Sequence, residues 1–572
     1  MKRFVREIVT VFMLGSVGCT DLIDMTPESD VTFYSYFNTE QDAEALLSTM
    51  EECLRSSAAN QGHHGYYGWI ADHVNETYAP YRELEQTMAM NWQSYYTTLN
   101  KADVIIDNAR RFPNSVDIKP YVLQAYFAKG VTYFELARKW GEAPIRGEDH
   151  SDYSPLPKSS VHDVLEEATK YALLALDLPN FEELKDGNGS SRTVKQFAGK
   201  GAVCALLGHL YAWRATIENK PEYWAEAEKY CSMIIDGKAG NYVLANTPED
   251  LCLNEMHRNG QETIWELYYE PNEVYGTGNI WGDADYIGFP VRTESNFLPN
   301  TNYYWAYSVE IYRSTVNKLF HKEDRRRNAY FWGTDADSLF VVYNKVSGKA
   351  NAIAVEYDEN GDRKVFTKYD NGNNCPVELE YFLSEGDSII EGGGYATKDH
   401  ERAYVIKHRY PYYVKRYDWE SEPSFDCYDV NKVIWRLADI ILLRAECRVH
   451  QNDRDGAIAD LNRIRERAYG NRKFDYPCED DIEKNLTADL QLAIFREREK
   501  ELMFEDCRFY DAVRNGWGQY GYDYVRNELS PGIARLTDQD IEDGALYHEV
   551  GRLAFTNNEL MKQNAYWKKK RQ

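Results

Sequence analysis

The chain of 572 residues carries 66 Lys and Arg against 92 Asp and Glu, a formal charge of −26, with 43% apolar and 28% charged residues. This is the profile of a globular protein long enough for more than one core. A field of that sign repels phosphate backbones and anionic lipid surfaces, so nucleic acid is excluded as the expected partner.

The first segment reads as an address. Lys2, Arg3 and Arg6 precede an apolar run over 8–17 and then Gly18-Cys19. A basic start, a short apolar run and a small residue before the cut describe a secretory signal, and the run is too short to span a bilayer. Leu14-Gly15-Ser16-Val17-Gly18-Cys19 resembles a bacterial lipoprotein signal, which implies removal of residues 1–18 and lipidation of Cys19. Residues 19–39 then form a tether, and membrane contact is expected through the N-terminal lipid alone. Of the ten Cys, nine remain beside Cys19, an odd number with no C-x-x-C pair. Cys204, Cys231 and Cys447 fall inside helical patterns, so buried thiols are expected rather than a zinc site or a disulfide framework.

Periodicity predicts helices over 40–55 and 91–111, the second from Trp92, Tyr95, Tyr96, Leu99, Val104 and Ile105. Residues 121–140 are apolar on two sides, as expected of a helix buried between layers, and Gly141 with Pro144 ends it. Ser159 or Ser160 caps a helix through Leu178, before Pro179. Further helices are predicted over 194–216, 222–236, 432–450 and 457–468, with small residues at the crossings. Such consecutive pairs look like degenerate tetratricopeptide units, in which each pair buries its neighbour's apolar face. Glu497, Arg498, Glu501, Glu505, Arg508, Asp511 and Arg514 are read as one helix with charges at three- and four-residue spacings.

Between the helical blocks, 241–430 is rich in Gly, Asn, Asp, Tyr and Trp and carries short alternating runs such as 338–344. Residues 355–365 read as a hairpin turning at Asn360-Gly361. An EF-hand reading of Asp358, Asn360 and Asp362 fails because Tyr369 stands where the bidentate Glu is required. The predicted organisation is a helical scaffold over 40–240, an irregular ligand-binding insertion over 241–430, and a helical block over 431–572 that completes the same domain.

Five segments in order resemble the SusD/RagB family of outer-membrane nutrient-binding lipoproteins. They are Trp92-x3-Tyr96-x5-Ala102; the run from Ala125 through Trp140-Gly-Glu-Ala-Pro-Ile145; Pro157-Lys-Ser-Ser-Val161; Trp435-Arg-Leu-Ala-Asp439 through Glu446 with Leu461-Asn-Arg-Ile-Arg465; and Arg496-Glu-Arg-Glu-Lys-Glu501 through Glu505 with Arg508-Phe-Tyr-Asp511. The sequence departs from the family's pattern at Asp506-Cys507, where Gly-His is usual, and at Trp140, where Tyr is frequent. The resemblance implies a mostly α, tetratricopeptide-like, SusD-like scaffold. It also implies capture of an oligosaccharide or polysaccharide at the cell surface and its delivery to a SusC-like TonB-dependent transporter.

Metalloprotease, nucleophile-elbow and P-loop signatures are absent, and His63, His64 and His73 lack the companion ligands of a zinc site. The chain is therefore expected to bind rather than turn over its ligand, without cofactor or metal. Sugars present C–H faces that stack on aromatic rings and hydroxyls that bond to Asp, Asn and Arg. Two Gly-punctuated aromatic clusters suit them. One holds Trp69 with Asp72 and Asn75; the other holds Trp281, Asp283, Tyr286 and, further on, Tyr304. The rival readings are a binder of peptides or other nutrients on the same scaffold, a surface glycoside hydrolase, and a pure assembly protein for the transporter.

Overall fold

The computed structural model describes residues 36–59, 91–147, 149, 154–270 and 310–570, except 345, 347–349, 362, 371–376, 391–396, 399–401, 415–423, 506 and 516–536. Helices α1 (Glu40–Ala59), α2 (Gln93–Asn108), α3 (Lys119–Trp140), α4 (Val161–Leu174), α5 (Lys200–Ile217) and α6 (Tyr223–Ile235) build the N-terminal scaffold. Each packs on the next in sequence or one further along, with α3 on α4 and α5 on α6 as principal pairs. The caps follow the sequence: Ser160 accepts from the Asp163 amide at the start of α4, and Gly141 stops α3 at φ 71°. Helix α3 buries both its faces, including Phe127, Tyr133, Phe134 and Trp140.

The helix predicted over 194–216 begins only at Lys200. Residues 194–199 are irregular because Gly199 is extended and presses on the Phe181 backbone, where a Cβ would approach within 2.7 Å. Side chains of this stretch reach other elements: Lys195 Nζ donates to the Gly260 and Thr263 carbonyls at 2.6 and 2.7 Å, and Gln196 Nε2 donates to Glu51.

Strand β1 (Thr263–Leu267) opens the insertion. Within it, β2 (Ser338–Asn344), β3 (Ala350–Tyr357), β4 (Arg363–Asp370), β5 (Val377–Glu380) and β6 (Asp387–Ile390) form an antiparallel sheet in the order β5-β4-β3-β2-β6, with Thr397–Lys398 also pairing β2. The predicted 355–365 hairpin is the β3–β4 turn, with Gly361 at φ 82°. Strand β7 (Lys432–Arg436) closes the insertion by pairing antiparallel with β1, Trp265 opposite Trp435. This pairing corrects the helix predicted over 432–450. Val433, Ile434 and Trp435 suit a pleated strand, and the helix starts at Leu437 without Gly or Pro to mark the change.

Helices α7 (Leu437–His450), α8 (Arg454–Tyr469), α9 (Leu490–Glu501) and α10 (Arg508–Arg514) complete the scaffold, with α7 packing on α6, α8 and α9. Six of the seven charges read as one helix lie instead on two, and Glu505 sits in the break between Glu501 and Arg508, where Phe504 takes φ 63°. Their partners come mostly from other elements. Arg436 pairs with Glu262, Glu501 and Glu505 at 2.7, 2.8 and 2.7 Å. Arg326 reaches Asp324, Glu497 and Glu501 at 2.7, 2.6 and 3.2 Å, and Arg467 joins Glu262 to Glu501. Arg498 links Asp439 to Asp511, and Arg514 links Asp511 to Glu446. These groups are buried, so each charge depends on its partners, and removing one leaves the rest uncompensated. Cys204, Cys231 and Cys447 are buried free thiols, as expected.

Candidate functional site

Trp69, Asp72, Asn75, Trp281, Asp283, Tyr286, Tyr304 and the lipidation residue Cys19 lie outside the described residues. What the structure does describe is the pair of roots from which the two aromatic segments depart. The first leaves α1 after Ala59 and rejoins the described chain at Asn91; the second leaves after Glu270 and rejoins at Glu310.

These roots are bonded to each other. Arg55, in the last turns of α1, donates through Nη1 to the Tyr268 carbonyl at 3.0 Å. Gln196 bridges the same two elements: its Nε2 donates to the Glu51 carbonyl and to Glu51 Oε2, both at 2.9 Å, while its Oε1 accepts from the Tyr268 amide at 2.8 Å. The Gln196 carbonyl also accepts from Trp265 Nε1 at 2.8 Å, fixing β1 beneath the joint. Beyond Tyr268, the Tyr269 amide donates to Asn431 Oδ1 at 3.1 Å, and Arg258 Nη2 donates to the Tyr269 carbonyl at 2.8 Å. Arg258 also pairs with Asp429, so the outgoing strand end is held to the incoming one.

Below the roots lies a small cavity of about 90 Å³, with walls that include Ser57, Tyr95, Trp265, Trp435, Arg138 and Tyr510. Its aromatic walls are engaged in packing. Trp265 meets Trp435 at 5.0 Å between centroids, His209 stacks on Trp435 at 5.8 Å, and the Arg138 guanidinium lies 4.1 Å from the Tyr510 ring centre. Its charges are engaged as well. His209 Nε2 lies 2.8 Å from Asp439 Oδ2, and Arg138 pairs with Glu135. Despite desolvation, the Asp439 carboxyl is held well below its ordinary range by His209 and Arg498. Burial, together with Asp439 and Asp511, pushes the Cys507 thiol well above its usual value, so it stays protonated. Glu135 and Glu505 are likewise held low by adjacent cations against the pull of burial. These lining carboxylates are fixed in the ionised state and paired, which suits support of the roots rather than proton transfer. Among the described residues, no group of three or more His, Cys, Asp or Glu could hold a metal ion.

The architecture is that of a helical-pair scaffold from which a strand-necked insertion projects. The chain belongs to the SusD family: the model of that family matches residues 261–572, and a second model, described as "Starch-binding associating with outer membrane", matches 30–211. SusD-like protein P25 of Formosa agariphila is 22% identical over 547 residues, covering 89% of each chain. A SusD homologue from Bacteroides thetaiotaomicron shares the fold with a TM-score of 0.62 at 19% identity, over 92% of this chain and 98% of that one. Surface glycan-binding protein A from Bacteroides fluxus aligns at 0.59 and 18% identity, over 92% and 99%. The tetratricopeptide-like scaffold read from the sequence is thus the family's fold.

Sequence reasoning did not single out Glu51, Arg55 or Gln196. Glu51 and Arg55 stand one turn apart in α1, at the spacing of an ordinary surface pair. The signal available was Gln196 beside Phe197 and Gly199, a polar residue in a tight approach rather than in the helix assumed there.

Proposed function

We propose that this protein captures oligosaccharides or polysaccharides at the outer surface of the outer membrane, anchored by lipid on Cys19, and passes them to a SusC-like TonB-dependent transporter. Trp69, Trp281, Tyr286 and Tyr304 are the stacking platforms, and Asp72, Asn75 and Asp283 bond to the hydroxyls. The observation that carries this reading is the joint between the two roots: Arg55 and Gln196 bind the end of α1 to Tyr268, so the segments bearing both clusters depart from one place. Family membership supports it, as do the outer-membrane and starch-binding description of the model over 30–211 and the name of the B. fluxus neighbour. Among the described residues, no helix is long and apolar enough to cross a membrane, which fits attachment through a lipid.

The test is native-gel retardation of the chain from Thr20 onward in gels containing neutral or acidic polysaccharides, with Trp281→Ala alongside. Retardation by one glycan class, reduced in the variant and without product release over time, is the expected result. Retardation unchanged in the variant moves the site away from Trp281. Accumulating product makes the protein a hydrolase, and no retardation by any glycan leaves the peptide-binding or assembly readings.

A further inference from the structure

Glu51 has no role in the capture reading as it stands, and its surroundings are unusual. The residue is 4% exposed, and its Oε1 is buried without a hydrogen-bond partner. Its Oε2 and its carbonyl both receive the Gln196 amide, whose opposite end holds the Tyr268 N–H. One side-chain amide therefore connects the Glu51 carboxyl to the strand end that leads into the second aromatic segment.

The charged groups acting on Glu51 are few. Arg55 and Glu44 belong to its own helix, and Arg192 comes from the segment before α5. Arg192 is held bidentately by Glu44 at 2.9 and 2.8 Å, and Tyr121 of α3 also bonds to Glu44. Lys101 of α2 acts on the Cys53 thiol. Arg192 acts on Glu51 but is engaged by Glu44, whereas Arg55, one turn along α1, acts on Glu51 and also donates to the Tyr268 carbonyl at 3.0 Å.

We propose that Glu51 is a proton-controlled positioning residue: when neutral it leaves Arg55 and Gln196 holding Tyr268, and when ionised it draws Arg55 off the Tyr268 carbonyl and loosens the joint between the two roots. Proton loss from the carboxyl puts a negative charge in a site where one oxygen has no donor, and the Arg55 guanidinium, one turn along the same helix, shifts toward it. Burial pushes the Glu51 carboxyl up to about 7, against the opposing pull of Gln196, Arg192 and Arg55, so the change falls near neutral pH. The consequence for glycan retention rests on the capture reading; the joint itself does not.

The experiment is hydrogen exchange by mass spectrometry on the chain from Thr20 onward at about pH 6 and about pH 8, corrected for intrinsic exchange and read at the Tyr268 amide. Protection is expected to fall about tenfold at the higher pH in the wild type. It should stay high at both in Glu51→Gln, which cannot ionise, and be low and pH-independent in Arg55→Met. Equal wild-type protection at the two pH values overturns the proposal, as does the same fall in Glu51→Gln. Should Glu51→Gln fail to fold, a wild-type-like fall in Arg55→Met overturns it equally. Native gels on the polysaccharide panel at the same two pH values separate the two readings. Retardation with unchanging protection leaves capture and removes the joint; changing protection with no retardation at either pH leaves the joint and removes capture.

Discussion

The scaffold and the insertion are stabilised by different means. Around α7 and α9 the protein buries whole arginines and glutamates, with Arg436, Arg326 and Arg498 each shared among two or three carboxylates. The insertion's sheet has a small apolar centre of Val342, Ile353 and Val355, with Tyr357 and Tyr381 packed against it. A buried ionic network tolerates no missing member, because each remaining charge has already lost its water. A thin sheet face loses only local packing. The contrast identifies where a substitution unfolds the molecule and where it disturbs one attachment.

The largest effect is expected at Glu501, whose carboxylate meets Arg436 at 2.8 Å and Arg326 at 3.2 Å and also pairs with Arg467. Glu501→Ala takes one carboxylate from each of three buried guanidinium groups and should cost about 3–5 kcal/mol, read as a lower urea midpoint for the whole chain. A midpoint within error of the wild type would refute the view that the network holds the scaffold. In the sheet, Ile353→Ala should cost about 2 kcal/mol and raise hydrogen exchange over 338–370 only. Equal loss of protection in α7 and α9 would show that the two regions are one cooperative unit after all.

Sequence patterning was informative where one period ruled a segment. Helices α1 to α4 and the β3–β4 hairpin stand where periodicity, Ser160, Gly141 and Asn360-Gly361 put them. Reading failed at changes of backbone that no Gly or Pro announces. The junction between Arg436 and Leu437 is one, and the break at Phe504 is another. It also failed on partnership: Glu497 and Glu501 have helical spacing, but their buried partners include Arg326 and Arg436 on segments far away in sequence, and spacing along one chain cannot reveal those. The residues joining the loop roots share that property, since Glu51, Gln196 and Tyr268 meet only through tertiary packing.

Acid and base should act on different carboxyls of the helical scaffold. Asp439 and Glu501 have folded-state values held below their ordinary range by nearby cations, so their stabilisation is present above that range and is lost as pH falls below it toward those depressed values. Glu51 is raised from 4.5 to about 7, so the folded state binds its proton more tightly and stability declines as pH rises between those values. Glu51→Gln removes the second term alone. Its unfolding free energy, read from urea midpoints, should match the wild type near pH 4.5 and exceed it above about pH 7 by about 3 kcal/mol. A constant difference across that window would mean that Glu51 does not titrate there.

The smallest effect is expected at the tip of the sheet, where Phe382 is 73% exposed and Val346 is 85% exposed. The tip is organised by Asp387, which accepts from Asn344 Nδ2 at 2.8 Å, from the Ser384 amide at 2.7 Å and from the Tyr381 hydroxyl at 2.9 Å. Phe382 takes no part in those bonds and gives up little contact with the sheet when replaced. Phe382→Ser should therefore leave the urea midpoint within about 0.5 kcal/mol of the wild type, as surface changes away from packed groups do. A loss comparable to that of Ile353→Ala would place Phe382 against apolar surface in the folded protein and make the tip part of the sheet's core.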